Sequence, residues 1–146
     1  MGSMISVRPV NGSDYPFLYD LLKEKTPEQN ISHKEMPTYE QHVAFNDAHP
    51  YAHDWIIQVD PDMFIPGVTR VAPYKAGRIY LTKQDEVGIH IKREYAGQGI
   101  GGQALELLIT MTNRPLLANI APSNLPSQGF FVKHGFHLVQ YTYRRD

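Results

Sequence analysis

Gly97, Gly99, Gly101 and Gly102 crowd into EYAGQGIGGQ (94–103), between the strand-like run EVGIHI (86–91) and the helical stripe of ALELLIT (104–110). Bare backbone at a strand-to-helix turn lets main-chain N–H groups approach a ligand with no Cβ in the way. A helix N-terminus also leaves its first N–H groups without acceptors and carries the positive end of the dipole. An anion is therefore expected at this loop, and a pyrophosphate suits it best.

Two familiar phosphate binders fail on the residues that follow. A P-loop needs Lys-Ser/Thr after its last glycine, whereas Gln103-Ala104 stands here. Gly97-x-Gly99-x-x-Gly102 matches a dinucleotide fingerprint, but that fold needs an acid about 20 residues further on to hold the ribose. No Asp or Glu occurs between Glu106 and Asp146, and only 44 residues remain after Gly102.

The 146 residues suffice for one domain with a proper core, and 42% hydrophobic with 20% charged residues is an ordinary globular balance. The absence of cysteine excludes a disulfide framework, a thiolate metal site and a cysteine nucleophile, and fits a cytoplasmic enzyme. No apolar run reaches the roughly 18 residues of a membrane span. The opening residues lack a charged-then-apolar leader, and Met1–Ser3 reads as a cloning remnant ahead of a domain at 4–146. A net charge of −1 argues against a nucleic-acid partner. Residues 1–62 carry −6 and residues 107–146 carry +3, so cationic and anionic partners are expected at the two halves respectively.

Alternation and breakers predict strands at 4–10, 54–60, 77–82, 86–91 and 115–122, and again from Phe136 to the end. Helices are expected from Ser13 or Asp14 to Thr26-Pro27, and from the Thr38 capping box to about Ala48. Others should run from the glycine loop to Asn113, and from Pro126 to Gly135. A short extended piece is expected around Val68 to Val71. The order β-α-α-β-β-β-α-β-α-β implies an α/β (α+β) domain: a mixed, mostly antiparallel sheet with helices on both faces.

EVGIHIKREYAGQGIGGQALELL (86–108) resembles the acetyl-coenzyme A motif of the GNAT superfamily of N-acetyltransferases. Its loop corresponds to Ala96-Gly97-Gln98-Gly99-Ile100-Gly101. NLPSQGFFVKHGF (124–136) is similar to a second family element through Asn124, Ser127, Phe130, Lys133, Gly135 and Phe136. The resemblance spans the domain and implies acetyl-CoA as acyl donor and a primary amine, on a small molecule or peptide, as acceptor. It implies donor contacts from Ile89, Ile91, the 97–102 loop, Asn124, Ser127, Phe131 and Lys133. A bulge in strand 86–91 should splay it from the next strand and turn an amide near Ile89 to the thioester carbonyl.

The chain departs from the family in having Ala96 where an Arg or Gln usually heads the loop. It also has Phe131 where a tyrosine often protonates the leaving thiolate. Lys92 or Arg93 can supply charge beside the loop. Glu86 and His90 share a strand face and are the candidate bases, Glu86 acting through water, while Tyr141 and Tyr143 are alternative acids. Glu35, Glu40, Asp47 or Asp54 are expected to hold a cationic amine near Tyr39 and Trp55. Zinc binding by His42, His49 and His53 is disfavoured because Pro50 interrupts the helical spacing. No metal is expected, and both monomer and homodimer are compatible. A degenerate acyl-CoA-binding sensor or partner module is the alternative function, kept open by Ala96 and Phe131.

Overall fold

The computed structural model describes residues 4–25, 35–61 and 72–146. Its strands are β1 (Met4–Pro9), β2 (His53–Asp60), β3 (Tyr74–Leu81) and β4 (Val87–Ile91). The helices are α1 (Tyr15–Lys23), α2 (Tyr39–Asp47), α3 (Ile100–Thr112) and α4 (Leu125–Lys133). The strands form one antiparallel sheet in the order β1-β2-β3-β4.

Strand alternation gives the sheet two unlike faces. Ile57 and Val59 of β2, Ile79 and Leu81 of β3 and Val87 of β4 point into the larger core, against Ala104, Leu105 and Leu108 of α3. On the opposite face Ile56 packs under Tyr15, Leu18 and Leu21 of α1. Asp54, Arg78, Tyr80 and His90 share that second face, whose centre is therefore polar.

Asp14 pins α1 to the sheet. Its fully buried carboxylate accepts two bonds from Arg8 (2.8 and 2.7 Å), one from the Asn11 amide (2.9 Å), and pairs with Lys75 (2.7 Å). The cap ahead of α1 is Asn11, whose side chain accepts from the Ser13 amide, so Asp14 serves the Arg8–Lys75 cluster instead. The Thr38 capping box forms as expected and starts α2. The proposed end of the first helix at Thr26-Pro27 and the extended piece at 68–71 lie outside the described residues.

Two expected strands form no ladder. Segment 115–122 makes a single parallel bridge, Leu117 to Glu86, although Leu116, Ala118 and Ile120 do turn to the core. Residues 137–146 form no strand pairing, and Leu138, Val139, Tyr141 and Tyr143 are 66–90% exposed. Alternation prepares a segment for a sheet edge, but a strand also needs a neighbouring edge in register. No helix among the described residues is long and apolar enough to cross a membrane.

Candidate active site

The strand β4 links a splayed edge, a glycine loop and a cavity. At its start Val87 N–H donates to the Leu117 carbonyl (2.7 Å), and Leu117 N–H donates to the Asp85 carbonyl (2.8 Å). Among the described residues no further backbone bond joins β4 to the chain after Leu117. The two-residue period turns the amides of Ile89 and Ile91 the same way as that of Val87, into the opening gap. The β3–β4 ladder itself runs from Leu81–Val87 to Gly77–Ile91 without a shift. The bulge expected in 86–91 is thus absent from that ladder. The register shift lies one strand earlier, opposite Ile57 and Gln58. The splay arises because segment 118–121 diverges after one bridge.

The glycine loop ends at the first turn of α3. Gly97 and Gly99 take left-handed φ of 80° and 78°, and a Cβ on either would meet nothing within 4 Å. Glycine is thus required by conformation rather than by crowding. Gly99 caps α3 with no side-chain bond, and the first intrahelical bond comes from Gln103 N–H, leaving the preceding amides of Ile100, Gly101 and Gly102 open. Gln98 is exposed beside them, and Ile91 lies 3.4 Å from where a Gly101 Cβ would stand. The open amides and the splayed gap fit a diphosphate with an extended amide-bearing arm.

On the second sheet face lies a cavity of about 310 Å³, walled by Leu18, Leu21 and Leu22 of α1 and by Phe45 of α2. Arg78, Tyr80 and His90 form its floor. Asp54 holds Arg78 through Nε (2.7 Å) and Nη2 (2.6 Å), and Asn46 accepts from Nη2 (2.8 Å). Tyr51 and Tyr80 stack at 3.9 Å, and the guanidinium carbon lies 5.2 Å from the Tyr51 ring centre. Gly88 makes room for this stack, since a Cβ there would fall 1.9 Å from the Tyr80 ring. Burial, with the nearby charges of Lys25 and Arg93, lowers the His90 imidazole to about 4 despite Glu24 at 3.9 Å. His90 is neutral at pH 7.

The structure separates the two candidate bases. His90 lines the cavity. Glu86 stands outside its lining, accepting from Thr82 Oγ1 (3.2 Å) and Asn119 Nδ2 (2.5 Å) at the β4 bridge. Tyr141 is 73% exposed, stacks on Tyr143, and is not among the cavity residues. Phe131 is buried in the larger core, edge-on to Phe130 and Phe136. Asn124 caps α4 by accepting from the Ser127 amide (3.2 Å), and Lys133 is exposed in its last turn. None of Glu35, Glu40, Asp47 and Asp54 lines the cavity. Asp54 is committed to Arg78, and Asp47 accepts from the Tyr15 hydroxyl (2.9 Å).

Lys25, Tyr51, Arg78 and Tyr80 escaped the sequence reading. One signal was available: GRIYLT and DWIIQ each place a charge in an otherwise apolar strand, which usually means a buried, paired ion. Lys25 carried no such mark, because only the folding of α1 over β4 brings it to His90.

Residues 5–137 match the model of the acetyltransferase (GNAT) domain. A domain from Methanocaldococcus jannaschii DSM 2661 superposes with a TM-score of 0.78 at 20% identity, covering 96% of this chain and 92% of its own. The aminoglycoside N-acetyltransferase AAC(6')-Iy, solved in complex with CoA, gives 0.69 at 17% identity, with 99% and 97% covered. A Salmonella typhimurium structure, solved with acetyl-CoA as its cofactor, gives 0.63 at 15% identity, with 92% and 80% covered. No curated protein sequence matches the chain. At these identities the structural likenesses speak for a shared fold.

Proposed function

The chain belongs to the GNAT acetyltransferase family, and on that premise we propose that it moves an acetyl group from acetyl-CoA to a primary amine by direct attack. One observation carries this reading: β4 presents free main-chain amides to the gap on one side and His90 to the cavity on the other. A donor held along the gap and an acceptor in the cavity would meet at that strand.

When bound, acetyl-CoA supplies an activated acyl carbon: the amine nitrogen bonds to it, the carbon–sulfur bond breaks, and the ammonium proton is lost. The amides of Gly97 to Gly102 hold the diphosphate, taking over from the side chain that Ala96 lacks. Ile89 N–H, facing the gap, donates to the carbonyl oxygen as charge builds there. His90, neutral and buried, accepts the proton that the attacking nitrogen sheds once its bond to the acyl carbon forms, while the thiolate departs with the carbon–sulfur electron pair. The phenolic acid usual in the family has no counterpart at Phe131. A thiol of pKa about 8.5 is a fair leaving group without one.

Thiol release from acetyl-CoA over a panel of amines tests the proposal, with CoA binding measured by calorimetry. Amine-dependent release is expected, and Gly99→Val should raise the Kd for CoA at least tenfold. Tight CoA binding without release from any amine would make the chain an acyl-CoA-binding module. No detectable binding would overturn both readings.

A further inference from the structure

The cavity is charged in the opposite sense to the acidic N-terminal half that builds it. Among the described residues its charged lining is Lys25 and Arg78, with no carboxylate. Arg78 is balanced by Asp54, yet its Nη1 donates to no described residue. Lys25 is less well served. Among the described residues no carboxylate comes within ion-pair distance of its ammonium. Its neighbour Glu24 is engaged elsewhere, accepting from the Arg93 amide (2.8 Å) and standing 3.9 Å from His90.

We propose that the amine acceptor also bears a carboxylate, anchored by Lys25 with Arg78, and an apolar side chain lodged against Leu18, Leu22 and Phe45. The ligand class is thus an amino acid rather than a polyamine or amino sugar. This rests on the cavity being the acceptor site of the proposed reaction. Two like charges in a partly buried site repel each other and are poorly solvated, so an anion between them relieves both costs. Burial and Arg78 both depress the Lys25 ammonium, as this picture requires. The volume of about 310 Å³ suits one amino acid, with Leu18, Leu22 and Phe45 available to its side chain and Lys25 and Arg78 to its carboxylate. A carboxylate on Lys25 also neutralises one of the charges that depress His90, making the imidazole a better proton acceptor once substrate is bound.

Calorimetry with the purified chain compares two probes of one shape, 3-phenylpropionate and 3-phenylpropylamine. The acid should bind at least tenfold more tightly, and Lys25→Met should reduce that preference to twofold or less. Thermal melts of the variant check folding, and the wild-type comparison stands without it. Equal or tighter binding of the amine overturns the proposal, as does an acid preference that survives Lys25→Met. In turnover, kcat/KM for phenylalanine should exceed that for phenethylamine at least tenfold. Faster turnover of phenethylamine overturns the carboxylate anchor and leaves the acetyltransferase reading intact. A preference for the acid probe with no thiol release from any amine leaves the anion site standing and removes the acetyltransferase reading.

Discussion

At the residue scale, the proposed site turns on His90 and Gly88, whereas Phe131 belongs to the larger core. His90 lines the cavity while both Glu86 oxygens accept bonds at the strand's other end, so His90→Gln should lower kcat/KM about a hundredfold or more. Glu86→Gln should cost less than tenfold, and a larger loss in Glu86→Gln than in His90→Gln would return the base to Glu86. Gly88→Ala drives a methyl into the Tyr80 ring, which carries the Tyr51 stack and the Arg78 contact. A loss of about 1–3 kcal/mol in denaturant unfolding is expected from such overpacking, with a higher KM for the acceptor. Phe131→Tyr buries a hydroxyl among Phe130 and Phe136. It should cost about 1–3 kcal/mol of stability and leave turnover in place.

At the element scale, the proposed positioning of donor and acceptor rests on β4 and the entry of α3. The strand is paired along one edge and free along the other beyond Val87, which opens a gap without breaking the sheet. The α3 entry holds the left-handed turns at Gly97 and Gly99 that leave its amides unobstructed. On the other side of the sheet, α1 is tied down by Asp14. Burial alone would push this carboxyl up, but bonds from Arg8, Lys75 and the Asn11 amide hold it well below the usual carboxylate range. Asp14→Ala leaves two cations unpaired beneath α1. A loss of about 3–5 kcal/mol is expected in urea unfolding, with weakened acceptor binding because Leu18 and Leu21 ride on α1.

At the scale of the whole molecule, acid should destabilise the fold in two separate windows. His90 titrates near 6.5 when unfolded and at about 4 when folded. Between those values the unfolded chain binds a proton that the folded chain refuses, so stability holds above pH 6.5 and falls towards pH 4. About 2 kcal/mol should be lost by pH 4.5, and the His90→Gln variant should lack that portion of the slope. Asp14 contributes stability above its unfolded value of 3.8 and loses it only as pH drops towards its depressed folded value. Chemical denaturation at a series of pH values separates the two. Removing residues 138–146, which form no strand pairing, should shift Tm by less than about 2 °C. A larger drop would mean that the tail is held against a sheet edge. What the chain's own order of residues determined was local: the capping box at Thr38, the turn at Gly97–Gly99, the alternating faces of 54–60 and 86–91, and the family motifs built on them. Those features depend on neighbours a few positions apart, so periodicity and turn chemistry reveal them. Pairing was a tertiary decision, because an alternating segment becomes a strand only where an edge meets it, and 115–122 meets one at Leu117 alone. The cavity's charge was settled the same way. Asp54 is acidic wherever the chain is read, yet across the sheet it is consumed by Arg78, and among the described residues Lys25 faces the cavity with no carboxylate beside it.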